Sequence, residues 1–269
     1  MKRLKQIISS LLLATCLFSS LLQINAEVPV EVIAAETGLQ KGKRVKLMSY
    51  NIRNGRGLDG LTDYHRISSV VKNVAPDVVA VQEVDSVTGR SQQTDVLRVL
   101  AEQTGMYPTY AAAIDYDGGK YGIGILSREK PQAFYSIPLP GREEERTMLV
   151  AEFKEYIFCC MHLSLTAEDR MASLELIKKE ARRAKKPFFI AGDWNAEPNS
   201  AFVEGIRKEF TLLTSPTAFT FPADKPNCCI DFIAGYAVQD KPFEVVSTYV
   251  YDEPVASDHR PVVVEMNLK

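Results

Sequence analysis

Hard oxygen donors and histidines fall in this chain where apolar runs stop. Asn51 follows the run from Val45 to Tyr50, and Gln82 and Glu83 follow Val78-Val79-Ala80-Val81. Gly192, Asp193, Trp194 and Asn195 come after Phe188-Phe189-Ile190-Ala191, and Asp231 comes after Cys229 and Ile230. His162 closes a run at Met161, while Ser257, Asp258 and His259 introduce the last one. Burial alone would not choose such residues, and strand ends are where a sheet protein gathers distant side chains around one pocket. Glu83, Asp193, Asp231 and Asp258 offer carboxylate oxygens, and Asn51 and Asn195 neutral amides. His162 and His259 are two of the 3 histidines. An oxygen-rich set without thiolates suits Mg²⁺, Mn²⁺ or Ca²⁺ rather than zinc. A histidine–carboxylate pair beside such an ion suits hydrolysis of a phosphate ester. The ion neutralises phosphate charge, a base activates water and donors stabilise the transition state.

Each residue also has a plainer reading. A glutamate after an apolar run is usually a solvated strand end, and Asn51 and Asn195 suit turns. Asp193 after Gly192 suits a cap, Asp231 suits backbone amides at a strand start, and His162 suits a satisfied core histidine. His65 lies apart and reads as structural or exposed; Arg128 and Arg146 read as surface arginines. Ser257, Asp258 and His259 do not make a hydrolase triad, because three consecutive residues cannot line up as nucleophile, base and orienter. Neither a G-x-S-x-G elbow nor a Gly-rich phosphate loop is present.

The elements that must position these groups alternate. Val45 to Ile52 and Asp77 to Val84 read as strands, with a helix over Tyr64–Val74 between them and a second helix over Thr94–Gln103 closed by Gly105. Tyr107–Ala113, Tyr121–Ser127, Gln132–Ile137, Thr147–Phe153 and Glu155–Met161 read as a run of strands. A helix from Thr166 to Ala184 opens on Thr166 and Asp169 as a capping box. Phe188–Ala191 and Cys229–Ala234 read as strands flanking a helix at Ser200–Phe210, and Phe243–Tyr249 and Arg260–Met266 close the chain. Two sheets packed face to face with helices outside fit this order better than one parallel sheet.

At 269 residues, 46% apolar and 25% charged, the composition suits one packed domain. Lys2, Arg3 and Lys5, an apolar stretch from Ile7 to Leu22 and the small residue Ala26 have the form of an export signal. We therefore expect a signal at 1–26, a tail at 27–43, one domain at 44–269 and a periplasmic or secreted location. A lipid at Cys16 fits less well, because Thr15 stands where such signals carry a smaller residue. Removing the three positive charges of Lys2, Arg3 and Lys5 takes the net charge from −2 to −5, which argues against tight non-specific binding to polyanions. The pairs Cys159–Cys160 and Cys228–Cys229 lack zinc or redox spacing and read as strand residues with one of each pair in the core. An exported location would also permit a disulfide between the pairs.

Seven motifs occur in order: MSYNIRNG (48–55), PDVVAVQEVD (76–85), YGIGILSR (121–128), MHLS (161–164), AGDWNAEP (191–198), CIDFI (229–233) and SDHRPV (257–262). Together they resemble the motif set of the endonuclease/exonuclease/phosphatase superfamily, and most closely its short bacterial members. The resemblance spans about residues 45–267. It implies a four-layered α/β/β/α sandwich of two packed mixed sheets with outer helices. It also implies hydrolysis of a phosphate ester by in-line attack of activated water, dependent on Mg²⁺ or Mn²⁺. By the same resemblance Asn51, Glu83 and Asp258 belong to the metal cluster, and Asp231 fixes the tautomer of His259 at the phosphate. Asp193 and Asn195 position the water, and His162 lies across the phosphate. The general base is the position of Asp193 or that of His259. Substrates open to it are nucleic acid, a nucleotide, an inositol or sugar phosphate, or a phospholipid head group, acted on by a monomer without a stable protein partner. The alternative is a phosphate-ligand-binding protein on the same fold that has lost turnover. Met161, Cys229 and Phe232 depart from the usual motif residues, and Trp194 in place of Phe is expected to reshape the pocket floor.

Overall fold

The computed structural model describes residues 42–238 and 242–269. The expected signal and nearly all of the tail lie outside these residues. The tail also ends a residue early, since Lys43 already pairs with Leu268.

Six strands form one sheet: β1 (Lys43–Asn51), β2 (Val78–Ser86), β3 (Tyr107–Tyr116), β4 (Gly119–Ser127), β11 (Phe243–Val250) and β12 (Val262–Leu268), in the order β11-β12-β1-β2-β4-β3. Six more form the other: β5 (Ala133–Leu139), β6 (Arg146–Glu152), β7 (Ile157–His162), β8 (Phe188–Asp193), β9 (Thr211–Leu212) and β10 (Asp231–Tyr236), in the order β5-β6-β7-β8-β10-β9. Each sheet holds one parallel pair, β1–β2 and β7–β8, among antiparallel neighbours. A parallel pair needs a crossover, and the helices supply it. The helix α1 (Tyr64–Val74) links β1 to β2, and α3 (Ala167–Arg183) links β7 to β8. The helices α2 (Val96–Thr104) and α4 (Ala201–Arg207) lie beside them on the same outer faces.

Period-2 alternation sends successive side chains of each central strand to opposite cores. Leu47, Ala80 and Ile125 of the first sheet meet Leu149, Cys160, Phe189 and Ile233 of the second in the middle layer. Met48, Val79 and Leu126 face Ile67, Val70, Val71 and Leu100 of α1 and α2. Met161, Ile190 and Phe232 face Leu174, Ile177 and Phe202 of α3 and α4. Three apolar interfaces between four layers are what the four-layered sandwich requires.

Local signals set the ends. Asp63 caps α1 by accepting from the amides of His65 and Arg66, and Ala75 closes it in the left-handed region just before Pro76. Asp95 caps α2, and Gly105 ends it at φ 70°. The expected capping box on α3 does not form. Thr166 is the N-cap residue without a side-chain cap bond. The Asp169 carboxylate is instead held by the Arg142 guanidinium and backbone amide and by Ser164 Oγ, charged and fixed donors that outcompete a cap. The helix at Ser200 is shorter than its pattern, and Cys229 precedes its strand rather than opening it. Both Cys159 and Cys160 are buried, because β7 is covered on both faces, and all four described cysteines are free.

Candidate active site

The parallel strands and their antiparallel neighbours place one end of both sheets at a common cleft. In the second sheet, ladder register alone aligns three groups. His162 is paired with Asp193 across β7–β8, and Asp193 with Asp231 across β8–β10. Gly192 permits this alignment: a Cβ there would run into the Met161 carbonyl oxygen.

The first sheet sets Asn51 by register but delivers Glu83 through an irregularity. Asn51 is paired with Gln82, and the β2–β4 register then shifts between Val81 and Val84. Glu83 sits in that bulge at φ 59°, and beyond Asn51 both Arg53 (φ 45°) and Asn54 (φ 47°) are also left-handed. Non-glycine residues in this region are strained, and such strain concentrates at functional sites. Asn195 (φ 47°) is the corresponding turn on the other sheet.

These groups converge on Asp193. Its Oδ2 accepts from Asn51 Nδ2 at 3.1 Å and lies 3.4 Å from His162 Nε2 and 3.6 Å from His259 Nε2. Its Oδ1 accepts from the Asn195 amide at 2.9 Å. Asn51 Nδ2 also donates to Glu83 Oε1 at 2.9 Å, while Asn51 Oδ1 accepts from the Arg53 amide. Asn51 therefore bridges two carboxylates and has its oxygen engaged by backbone. Asn195 Nδ2 donates to the Leu163 carbonyl, which ties the ends of β7 and β8 together. Asp231 Oδ2 stands 2.9 Å from His259 Nδ1 and accepts from Thr220 Oγ1 at 2.6 Å, and Phe221 packs its ring against His259. Arg53 Nε lies 3.3 Å from Asp258 Oδ2, and Ser257 Oγ donates to the Asn51 carbonyl.

Electrostatics separates the two histidines. Burial opposes a charge on His259, but Asp231, Asp193 and Asp258 raise its pKa to about 10. Burial lowers His162 to about 4; Asp193 opposes this, while the charges of Arg146 and His259 add to it. At neutral pH one imidazole is a cation and the other neutral, the pattern of groups pushed into different roles. Burial raises the Glu83 carboxyl above its usual range. The Asn51 hydrogen bond opposes that rise, and Asp258 and Asp193 add to it.

A cluster of Glu83, Asp193, Asp231 and Asp258 carries more negative charge than His259 and Arg53 offset, so the site calls for a cation. Ligand atoms of Asp193, Asp231 and His259 all lie within 4.8 Å of one another. In that trio Asp231 Oδ2 is engaged by His259 and Thr220 while its buried Oδ1 has no partner among the described residues, and an imidazolium has no lone pair to give. Glu83 and Asp258 add further carboxylate oxygens to those of Asp193 at the same end of the sheets, the donor type a hard divalent cation takes.

All eight residues singled out from sequence reach this cleft. Two further groups were missed. Arg146, read as a surface arginine, is only 8% exposed and bonds Glu144 and Glu143. Tyr121 stands where Glu83, Glu144 and Arg146 all act on its phenol, which burial raises. It opens the YGIGILSR motif, and the guanidinium of Arg90, held by buried Asp85, lies 5.2 Å from its ring centre. Trp194 was misplaced. It is fully buried against Phe202 and Phe232 on the helix side of β8 and forms no part of the pocket floor.

The Endonuclease/Exonuclease/phosphatase family profile matches residues 48–259, and the chain belongs to that family. The family joins nucleases and phosphatases, enzymes that cleave phosphate esters. Among solved structures, the endonuclease/exonuclease/phosphatase from Bacteroides vulgatus is 19% identical over 84% of this chain and 100% of that one, with a TM-score of 0.70. The Bacteroides thetaiotaomicron mannosyl-6-phosphatase is 18% identical over 82% and 99%, with a TM-score of 0.66. The human Nocturnin catalytic domain is 16% identical over 84% and 95%, with a TM-score of 0.64. At these identities the likeness is one of fold. No curated protein matches the chain in sequence.

Proposed function

We propose that the chain hydrolyses a phosphate ester with the help of a divalent cation, by in-line attack of water on phosphorus. The observation that carries this reading is the convergence of Asn51, His162 and His259 on one carboxylate, Asp193. Asp193 takes the proton of the attacking water. Between the two candidates for that role it is the better one, because His259 is held protonated by Asp231 and has no site to accept. His259 instead pairs its charge with a phosphate oxygen, where charge grows in the transition state. Neutral His162 donates one N–H toward the leaving oxygen. Glu83 and Asp258 would hold Mg²⁺ or Mn²⁺, which when bound would neutralise phosphate charge. Asn51 keeps the two carboxylates at a fixed separation, and Asn195 holds Asp193 in place.

The test is a panel of linear and supercoiled DNA, RNA, nucleotides, inositol phosphates, sugar phosphates and sphingomyelin, each with Mg²⁺, Mn²⁺ or EDTA. The expected result is cation-dependent release from one class, absent in His259→Ala. Wild-type rates in Glu83→Ala, Asp193→Ala and His259→Ala alike would sink the reading. We propose export on the pattern of residues 1–26; N-terminal sequencing of exported protein is expected to start at Glu27, and retention of residues 1–26 on that protein would refute a cleaved signal.

A further inference from the structure

A groove of about 450 Å³ opens between β3 at the edge of one sheet and the β5–β6 hairpin of the other. Its walls are Ala112 and Ala113 on one side and Ser136, Pro138 and Leu139 on the other, with Glu145, Arg146 and Thr147 at one end. That end adjoins the catalytic cleft. Met148 pairs with Met161, so Thr147 is the next position toward His162, and the charge of Arg146 acts on both His162 and Tyr121. Arg146 is 8% exposed, and its Nε–H has no acceptor among the described residues. A buried donor left so carries a cost until something accepts from it.

We propose that this groove holds the alcohol portion of the substrate, and that this portion is an uncharged polyhydroxylated ring such as a sugar or inositol. The inference rests on the phosphoesterase reading and narrows its substrate. Alanine, proline and leucine walls suit the C–H face of a ring. Ser136, Thr147 and Arg146 offer hydroxyl and N–H groups, and the Glu145 carboxylate accepts from ring hydroxyls. Glu145 also rejects the competitors. A second phosphate in the groove would meet its charge, while Glu143 and Glu144 offset the charge of Arg146, which disfavours a nucleic-acid strand or a bisphosphate.

Calorimetry on the full chain, with Ca²⁺ in place of Mg²⁺ to slow turnover, tests this with inorganic phosphate, myo-inositol 1-phosphate, glucose 6-phosphate and the dinucleotide pTpT. Both polyol phosphates are expected to bind at least about tenfold more tightly than inorganic phosphate. Ala113→Phe, which fills the groove, should bring them within about twofold of it. Glu145→Gln, at an exposed position, should weaken the polyol phosphates and strengthen glucose 1,6-bisphosphate; it keeps the test alive if Ala113→Phe fails to fold. No preference over inorganic phosphate, a preference that survives both substitutions, or pTpT binding more tightly than either polyol phosphate overturns the proposal. Failure to bind even inorganic phosphate sinks the phosphoesterase reading and this one with it. Phosphate binding without the polyol preference sinks the groove alone.

Discussion

The two sheets reach the same cleft by different means. β7, β8 and β10 deliver His162, Asp193 and Asp231 abreast, by ladder register, at regular strand ends. β2 delivers Glu83 through a bulge, β1 sets Asn51 in register just before a left-handed turn, and Asp258 and His259 come from the loop before β12. Register is the stiffer device, because a slip would turn every side chain of the strand to the wrong core. A bulge can re-aim one side chain at the cost of local strain. On the proposed mechanism the regular half would hold the groups that exchange protons, and Glu83 in the strained bulge would join Asp258 in holding the cation.

The sharpest break of this comparison is on the regular side. Asp193→Ala should lower kcat by about 10³–10⁴-fold. The double variant with His259→Ala should fall less than about tenfold further, because His259 Nε2 lies 3.6 Å from Asp193 Oδ2 and the two groups act in one transition state. Additive losses in steady-state rates would show that the two act separately.

The strained side answers differently. Glu83→Gln should cost about 10²–10³-fold in rate and raise the Mg²⁺ concentration needed for half-maximal activity. Glu83→Gly should lose as much activity yet gain about 1 kcal/mol of stability, since glycine tolerates φ 59° and removes a half-buried carboxylate whose charge its surroundings disfavour. Denaturant unfolding in EDTA measures it. A loss of stability in Glu83→Gly would mean that the bulge is not strained.

How legible this was in the sequence follows from the same contrast. Apolar runs fix strand ends, so polar residues that stop those runs could be nominated, and the eight given a role all reach the cleft. The four layers follow from alternating periods. Trp194 carries a readable signal: β8 ends at Asp193, and strand alternation continued one residue further turns Trp194 to the helix side. Arg146 carried none. Its burial depends on the β5–β6 loop folding Glu143 and Glu144 over it. The failed capping box at Thr166 likewise turns on Arg142, a residue 27 positions away from Asp169. The bulge at Glu83 arises from pairing with β4, which no pattern within β2 discloses.

A smaller effect sharpens the picture of the paired histidines. In EDTA, His162 binds its proton only near pH 4, whereas an unfolded histidine does so near 6.5. The unfolded chain therefore holds the extra proton between these values, and stability should rise with pH across that window. His259 keeps its proton to about pH 10, so here the folded chain holds the extra proton from 6.5 upward. Its contribution is fully present below 6.5 and lost toward 10. Each limb should slope by at most about 1.4 kcal/mol per pH unit. The optimum should lie near pH 6–7. Unfolding curves should lose the acid limb in His162→Gln and the alkaline limb in His259→Gln; limbs that persist in both would refute the opposed pKa values.

The smallest expected change tests the boundary of the regular half. Trp194 lies between Asp193 and Asn195 in sequence, but its ring packs on Phe202 and Phe232, and its buried Nε1–H has no partner among the described residues. Trp194→Phe leaves a small void, which destabilises, and removes an unsatisfied donor, which offsets part of the loss. The net should be about 1 kcal/mol of stability, with kcat and KM within about twofold of wild type. Because Asp193 is held by four contacts inside the cleft and by the β7 and β10 ladders, repacking behind β8 should leave it where it is. A tenfold change in kcat at unchanged stability would show instead that the outer core steers the catalytic carboxylate, and that ladder register alone does not.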